Sequence, residues 1–167
     1  MAKYLTNNSG TITEVSANAT SAGAGDAGKI PQLDGTGRLD NSMLPVGIGA
    51  DTQIIAASEA LAAGDLVNVW NSTGAKVRKA DASTSGKRAH GFVLAAVSSG
   101  ANATVYFEGT NTQASGLTPG ELFLSAATPG QAAAAAPTGS GQVVQRVGFA
   151  TATAAFNFQA GDPIVLA

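Results

Sequence analysis

No cysteine occurs in the 167 residues, so the chain has no disulfide, no thiolate metal ligand and no cysteine nucleophile. Histidine occurs once, as His90, which removes His-rich zinc sites and leaves only one place around which a Ser-His-Asp triad can be built. Charge is scarce too. Asp, Glu, Lys and Arg make up 12% of the chain, about half the roughly 25% usual in soluble domains, and the net charge is −2. There is no run of about 18 apolar residues, and the opening Met-Ala-Lys-Tyr-Leu-Thr-Asn-Asn lacks an apolar stretch, so neither a membrane span nor a signal peptide is expected. The formal charge is −1 over residues 1–50, +1 over 51–100 and −2 over 101–167, a distribution that does not fit a nucleic-acid binder. What remains is small. Ala (34), Gly (21), Thr (16) and Ser (13) fill 84 positions, while Leu, Ile, Val and Phe supply 35, enough for a folded core over part of the length.

Residues 1–50 hold little large apolar material and read as an extended N-terminal arm, with one short strand at 11–15 and a linker-like stretch at 17–28. Asp34-Gly35-Thr36-Gly37 is a turn signal, because glycine tolerates positive φ and Asp bonds its own turn. Asp40 or Ser42 can start a single helical turn that Pro45 ends. From residue 51 the pattern changes to short β-branched or aromatic runs at 53–56, 66–70, 75–79, 91–97, 104–108, 121–125, 142–150, 152–158 and 164–166. Turn signals separate them, among them Asn71-Ser72-Thr73-Gly74, Thr118-Pro119-Gly120 and Thr128-Pro129-Gly130. The expectation for 51–167 is an all-β domain, a small barrel or sandwich. Alanine propensity predicts one short helix at 56–63, stopped by Gly64-Asp65, while 132–136 is too short to nucleate a helix and is expected to be loop or edge strand.

Chemistry-bearing constellations are few. The loop from Asp34 to Asp40 has two acids of a calcium loop but Pro31, Gln32 and Leu33 where the earlier ligands would stand, and Arg38 inside the ring, so a plain turn is the expectation. No dinucleotide, phosphate-loop or nucleophile-elbow pattern occurs. His90 follows Lys87 and Arg88, cations that lower its affinity for a proton, and a structural role is expected. Glu108, Glu121 and Asp162 each fall at a strand end or turn, where acids are common, and are assigned no catalysis. Lys76, Arg78, Lys79, Lys87, Arg88 and His90 gather basic charge into fifteen residues, either as a patch toward an acidic protein surface or as a solvated hairpin with its loop. The nearest rings, Trp70 and Phe92, read as core rather than as stacking platforms for single strands.

The order of the segments carries a resemblance. DAGKIPQLDGTGRLDNSMLP (26–45) is a pattern shared by phage virion proteins, including tail fibres. AGDLVNVW (63–70), VRKADA (77–82), HGFVL (90–94), PGELFLS (119–125), QRVGFA (145–150) and GDPIVL (161–166) follow in sequence. Together they resemble the capsid cement, or head decoration, proteins of tailed bacteriophages along nearly the whole chain. The resemblance implies a non-enzymatic virion structural protein without a cofactor or bound metal. Made in the host bacterial cytoplasm, such a protein sits on the outer surface of the capsid. Its partners would be the major capsid protein and itself, as a homotrimer, with neither nucleic acid nor membrane. A tail-fibre or head-fibre module binding a host receptor is the alternative. On this reading 1–50 is the capsid-binding arm and 51–167 the decoration domain. Ile30, Leu33, Arg38, Leu39, Met43 and Leu44 are the expected capsid contacts, with a helical turn from Asp40 bringing Met43 and Leu44 toward one pocket with Leu39.

Overall fold

A computed structural model describes residues 2–45 and 48–167. The protein is nearly all β, 40% strand and 4% helix. It divides into two units, Met1–Gly49 and Ala50–Ala167.

The first unit begins with a hairpin of β1 (Lys3–Asn8) and β2 (Thr11–Ser16), antiparallel from Lys3 opposite Ser16 to Asn8 opposite Thr11. Ser9 and Gly10 turn the chain with φ of 52° and 89°, the positive pair whose twist matches that of the flanking strands. The following chain folds back. Asn18 bridges Pro31, and the Gln32 amide donates to the Asn18 carbonyl at 2.8 Å. Single 3₁₀ turns occupy Ala24–Asp26 and Asn41–Met43. The extended arm expected for 1–50 is therefore too simple a picture. The strand expected at 11–15 has a partner at Lys3–Asn8 that Thr6, Asn7 and Asn8 disguise as polar coil, and the stretch 17–28 is tied to 30–32 by backbone bonds.

In the second unit, β3 (Thr52–Ala57), β4 (Leu66–Asn71), β5 (Ala75–Lys79), β6 (Gly91–Val93) and β7 (Asn102–Tyr106) close a barrel in the order β3-β5-β4-β6-β7. Only the β3–β5 contact is parallel. A second sheet, β10-β9-β12-β13-β8, is built from β8 (Gly109–Asn111), β9 (Gly120–Leu124), β10 (Ala132–Ala133), β12 (Arg146–Ala152) and β13 (Ala155–Phe158). β11 (Val143–Val144) pairs with β14 (Ile164–Val165). The all-β expectation holds and the closed barrel decides its form.

The helix expected at 56–63 does not exist. Ala56 and Ala57 end β3, and Leu61 forms a bridge with Val97. The reason lies in the size of the barrel: five strands enclose little space, so small side chains such as Ala57 and Ala103 fill it beside Val67, Val77, Val93 and Val105. That packing overrides alanine's helical propensity. A larger core lies between barrel and second sheet, where Leu66 and Phe92 meet Leu122, Leu124, Val147, Phe156 and Phe158. Leu66 and Val67 are consecutive, as are Phe92 and Val93, yet all four are buried; β4 and β6 thus bury both faces, one inside the barrel and one against the sheet.

Two polar side chains complete this framework. Gln145 is buried and clamps Ala89, accepting from its amide at 2.7 Å and donating to its carbonyl at 2.9 Å, with a further bond to the Gly161 carbonyl at 3.1 Å. On its β6 side the pairing of β4 stops at Val67, while β5 continues along the other edge to Asn71, and the His90 ring stands in for the missing partner by accepting from the Val69 amide at 2.9 Å.

Candidate functional site

The residues expected to touch a partner lie in the first unit. Among the described residues of that unit, Ala17 is the only buried apolar side chain. By contrast Leu5 (70% exposed), Ile12 (61%), Ile30 (50%), Leu33 (57%), Leu39 (44%) and Ile48 (68%) all face outward. Polar bonds hold the unit in shape instead. The Ala2 amide donates to Gln32 Oε1 at 3.0 Å, the Ser21 amide to Ser42 Oγ at 2.8 Å, and Lys3 pairs with Glu14 across the hairpin.

Asp34 organises the central turn. Its Oδ1 accepts from the Thr36 hydroxyl at 2.7 Å, the Thr36 amide at 2.8 Å and the Arg38 amide at 3.0 Å. These bonds, the Thr36 hydroxyl first, hold its carboxyl below the ordinary range. Among the described residues no three His, Asp or Glu side chains gather to hold a metal. The turn leaves Leu33, Arg38 and Leu39 on the surface.

The helical turn expected from Asp40 forms. Asp40 Oδ1 accepts from the Ser42 amide at 2.9 Å, capping Asn41–Met43, and the Leu44 amide donates back to the Asn41 carbonyl at 3.1 Å. The three expected anchor residues differ in exposure. Met43 is half-buried and lines a cavity of about 180 Å³ with Asn18, Asp26, Lys29 and Pro31, and Leu44 is half-buried, whereas Leu39 stays exposed and is not part of that lining. A 3₁₀ turn advances about 2 Å per residue and eclipses positions three apart, so it does not stack side chains at the α-helical i, i+4 spacing.

Leu5, Ile12 and Ile48 escaped the sequence reading. The hairpin register sets Leu5 opposite Glu14 and Asn7 opposite Ile12, which puts Leu5 and Ile12 on one face with Lys3 and Glu14. The signal was present in Ser9-Gly10 between two six-residue runs, but the polar residues of β1 concealed it.

In the second unit Ile54, Phe149, Ile164 and Val165 are the exposed large apolar groups. Each ring nitrogen of the single histidine faces a donor: Nδ1 accepts from the Val69 amide, and Arg88 Nε lies 2.8 Å from Nε2. Burial, and then the Arg88 charge, push its pKa below 6.5. A triad needs a carboxylate at Nδ1, where this ring has a backbone amide. Glu121 bonds Arg146 at 3.1 Å, Glu108 and Asp162 are exposed, and no helix among the described residues is long and apolar enough to cross a membrane. Of the basic cluster, Lys79 and Lys87 meet Asp65 and Asp81 at 3.5 Å, and Arg78 stacks on Trp70 at 4.4 Å. Compared with known proteins, the chain matches no family model, no curated protein and no solved structure.

Proposed function

We propose that the protein is a capsid cement protein of a tailed bacteriophage, binding the outside of the head as a homotrimer and stabilising it, with the first unit as the part that grips the major capsid protein. One observation carries this reading: among its described residues the first unit buries Ala17 as its single apolar side chain while exposing six large ones, so these residues are held in shape by polar bonds rather than by an apolar interior. Such a surface gains stability by being covered. The ordered resemblance of 26–45 and of the later segments to cement proteins names what would cover it. Ile30, Leu33, Arg38 and Leu39 are the contacts this reading puts against the shell, and Met43 supports them from within the unit.

Full burial of a leucine or isoleucine is worth roughly 1.5–3 kcal/mol, and a unit already held by its own hydrogen bonds loses less entropy on docking than a free arm. Three copies in one trimer turn later contacts into intramolecular ones, raising overall affinity by roughly 10²–10⁴. The test adds purified protein to capsids stripped of cement and counts bound copies. Leu33→Ser with Leu39→Ser is expected to cut occupancy sharply and to remove the protection of the particles against heat. Near-normal occupancy overturns the first unit as the grip, and a concentration-independent monomer mass in light scattering overturns the trimer.

A further inference from the structure

Around His90, hydrogen-bond donors outnumber acceptors. The Val69 amide stands 2.9 Å from Nδ1 and the Asn68 side-chain nitrogen 3.4 Å from the same atom. The Val69 N–H can only donate and is fixed in β4, whereas Arg88 ends an exposed side chain that can turn, so Nδ1 is the acceptor and the neutral ring carries its hydrogen on Nε2. Turning the ring over would set a carbon against the Val69 amide and lose that bond. Yet Arg88 Nε, which also only donates, lies 2.8 Å from Nε2. Two N–H groups therefore converge with no acceptor between them. The neighbouring oxygens are already engaged: Asn68 Oδ1 accepts from Arg78 Nε at 3.0 Å, the Gly86 carbonyl from Arg78 Nη2 at 3.0 Å, and the Arg88 carbonyl from Asn68 Nδ2 at 2.8 Å. Among the described residues no carboxylate pairs with Arg78 or Arg88, although Lys79 and Lys87 have theirs. A cavity of about 190 Å³ opens on this corner, and Val143, Pro163 and Val165 share its lining with Arg88 and His90.

We propose that this cavity binds the side-chain carboxylate of an aspartate or glutamate on a partner protein, one oxygen accepting from His90 Nε2 and the other from the Arg88 guanidinium. The missing acceptor is then supplied, and charge-assisted bonds of this kind are roughly twice as strong as neutral ones. Val143, Pro163 and Val165 give the aliphatic stem an apolar surface, and the volume suits a few heavy atoms rather than a nucleotide or an oligosaccharide. Burial and the Arg88 charge keep the ring neutral near pH 7, so it offers the single Nε2–H that the geometry requires. The site belongs wholly to the second unit and is independent of the capsid reading.

The test uses the full-length ¹⁵N-labelled protein near neutral pH and follows the Val69 and His90 resonances by NMR. The probes are acetyl-Ala-Leu-Glu-Leu-Ala-amide, the same peptide with Gln for Glu, propionate and inorganic phosphate. Expected are the Nε2–H tautomer in the free protein, saturable shifts with the Glu peptide, weaker saturation with propionate and none with the Gln peptide. Arg88→Gln, a change at an exposed side chain, is expected to weaken the Glu peptide about tenfold or more with the amide spectrum otherwise unchanged. His90→Phe removes Nε2–H and should do the same; if it unfolds the barrel, Arg88→Gln alone decides. An Nδ1–H tautomer, equal binding of the Gln peptide, equal or tighter binding of phosphate, or no saturation overturns the proposal. Propionate binding as tightly as the peptide overturns the partner side chain as the source and leaves a site for free small carboxylates.

Discussion

The two units solve the same compositional problem in opposite ways. Both are poor in large side chains and rich in Ala, Gly, Ser and Thr, yet among the described residues the second unit buries twenty apolar side chains and the first buries one. Ala50–Ala167 closes a barrel small enough for alanine and valine to fill, then packs a sheet of phenylalanines and leucines against its outside. Met1–Gly49 makes turns whose carboxylates and hydroxyls bond the backbone locally, and leaves its isoleucines and every leucine but Leu44 exposed. The difference shows that composition does not decide whether a segment has a core. What decides it is whether strands can close around the few large side chains available.

If the second unit stands on interior packing, a single methyl group in the wrong place should undo it. Gly148 has φ of +133°, and a Cβ there would overlap the Asn157 carbonyl oxygen on the neighbouring strand. Gly148→Ala is expected to cost about 3 kcal/mol or more, through both backbone strain and the steric overlap. Trp70, the only tryptophan, belongs to the second unit and makes its fluorescence a selective reporter of denaturant unfolding. An unchanged midpoint would mean that the β12–β13 contact yields, and the claim that the second unit stands on close interior packing would fail. Gln145→Leu comes next. It abandons the buried amide and carbonyl of Ala89 together with the Gly161 carbonyl, and an expected loss of about 3 kcal/mol follows from leaving such groups unpaired. A loss below about 1 kcal/mol would mean that water reaches the clamp.

Much of the barrel and of the second sheet was legible in the sequence because β-branched runs, the Asn-Ser-Thr-Gly turn of the barrel and the Thr-Pro-Gly turns of the sheet are local signals, and 75–79 coincides with β5. The failures have physical causes. The helix at 56–63 was a propensity argument, and the narrow barrel overrode it by needing Ala57 inside. β8 is three residues long and polar, held by pairing with β13 and by Asn111, whose side chain bonds the Gly64 carbonyl at 2.9 Å, and no local pattern announces a contact 47 residues away. The donor-rich corner at His90 was invisible for the same reason: Arg88 and His90 are neighbours in sequence, but Val69, Asn68 and Val143 reach them only through the fold. In the first unit the turn at Asp34 and the cap at Asp40 were readable because each is made within four residues.

Local bonding also predicts that acid should act on the first unit before the second. Lys29 at 2.8 Å, then the Ala22 amide at 2.6 Å and the Asn18 side chain, lower the Asp26 pKa from 3.8 to about 2. Asp34 and Asp40 are lowered as well, chiefly by the Thr36 and Ser42 hydroxyls. In the second unit, Asp81 is pushed up by burial but brought below its ordinary value by Ser83 and Lys87. A carboxyl depressed on folding stabilises fully above its unfolded pKa and loses that contribution as pH falls through the folded one, so the Asp26 share is complete above 3.8 and goes as pH drops through about 2. The Ala22 and Lys29 amide signals are expected to titrate near pH 2 and to exchange faster below it, while Trp70 fluorescence changes less. Asp26→Asn should remove that step, and a step that persists would place the acid sensitivity elsewhere.

The smallest expected effect sharpens the comparison most. If the first unit has no interior, replacing its exposed leucines should leave its stability nearly unchanged. Leu33 and Leu39 flank the Asp34 turn, and neither contributes to the bonds that close it. Leu33→Ser with Leu39→Ser is therefore expected to shift stability by less than about 0.5 kcal/mol, the range of surface changes away from packed features. Amide exchange at Thr36 and Arg38, whose N–H groups bond Asp34 Oδ1, is the measurement. Protection lost at those two amides would show that the leucines hold the turn, and a fall in capsid occupancy would then report a melted unit. Protection retained alongside lost occupancy separates the two cases, because the side chains would be missed only by the surface they cover.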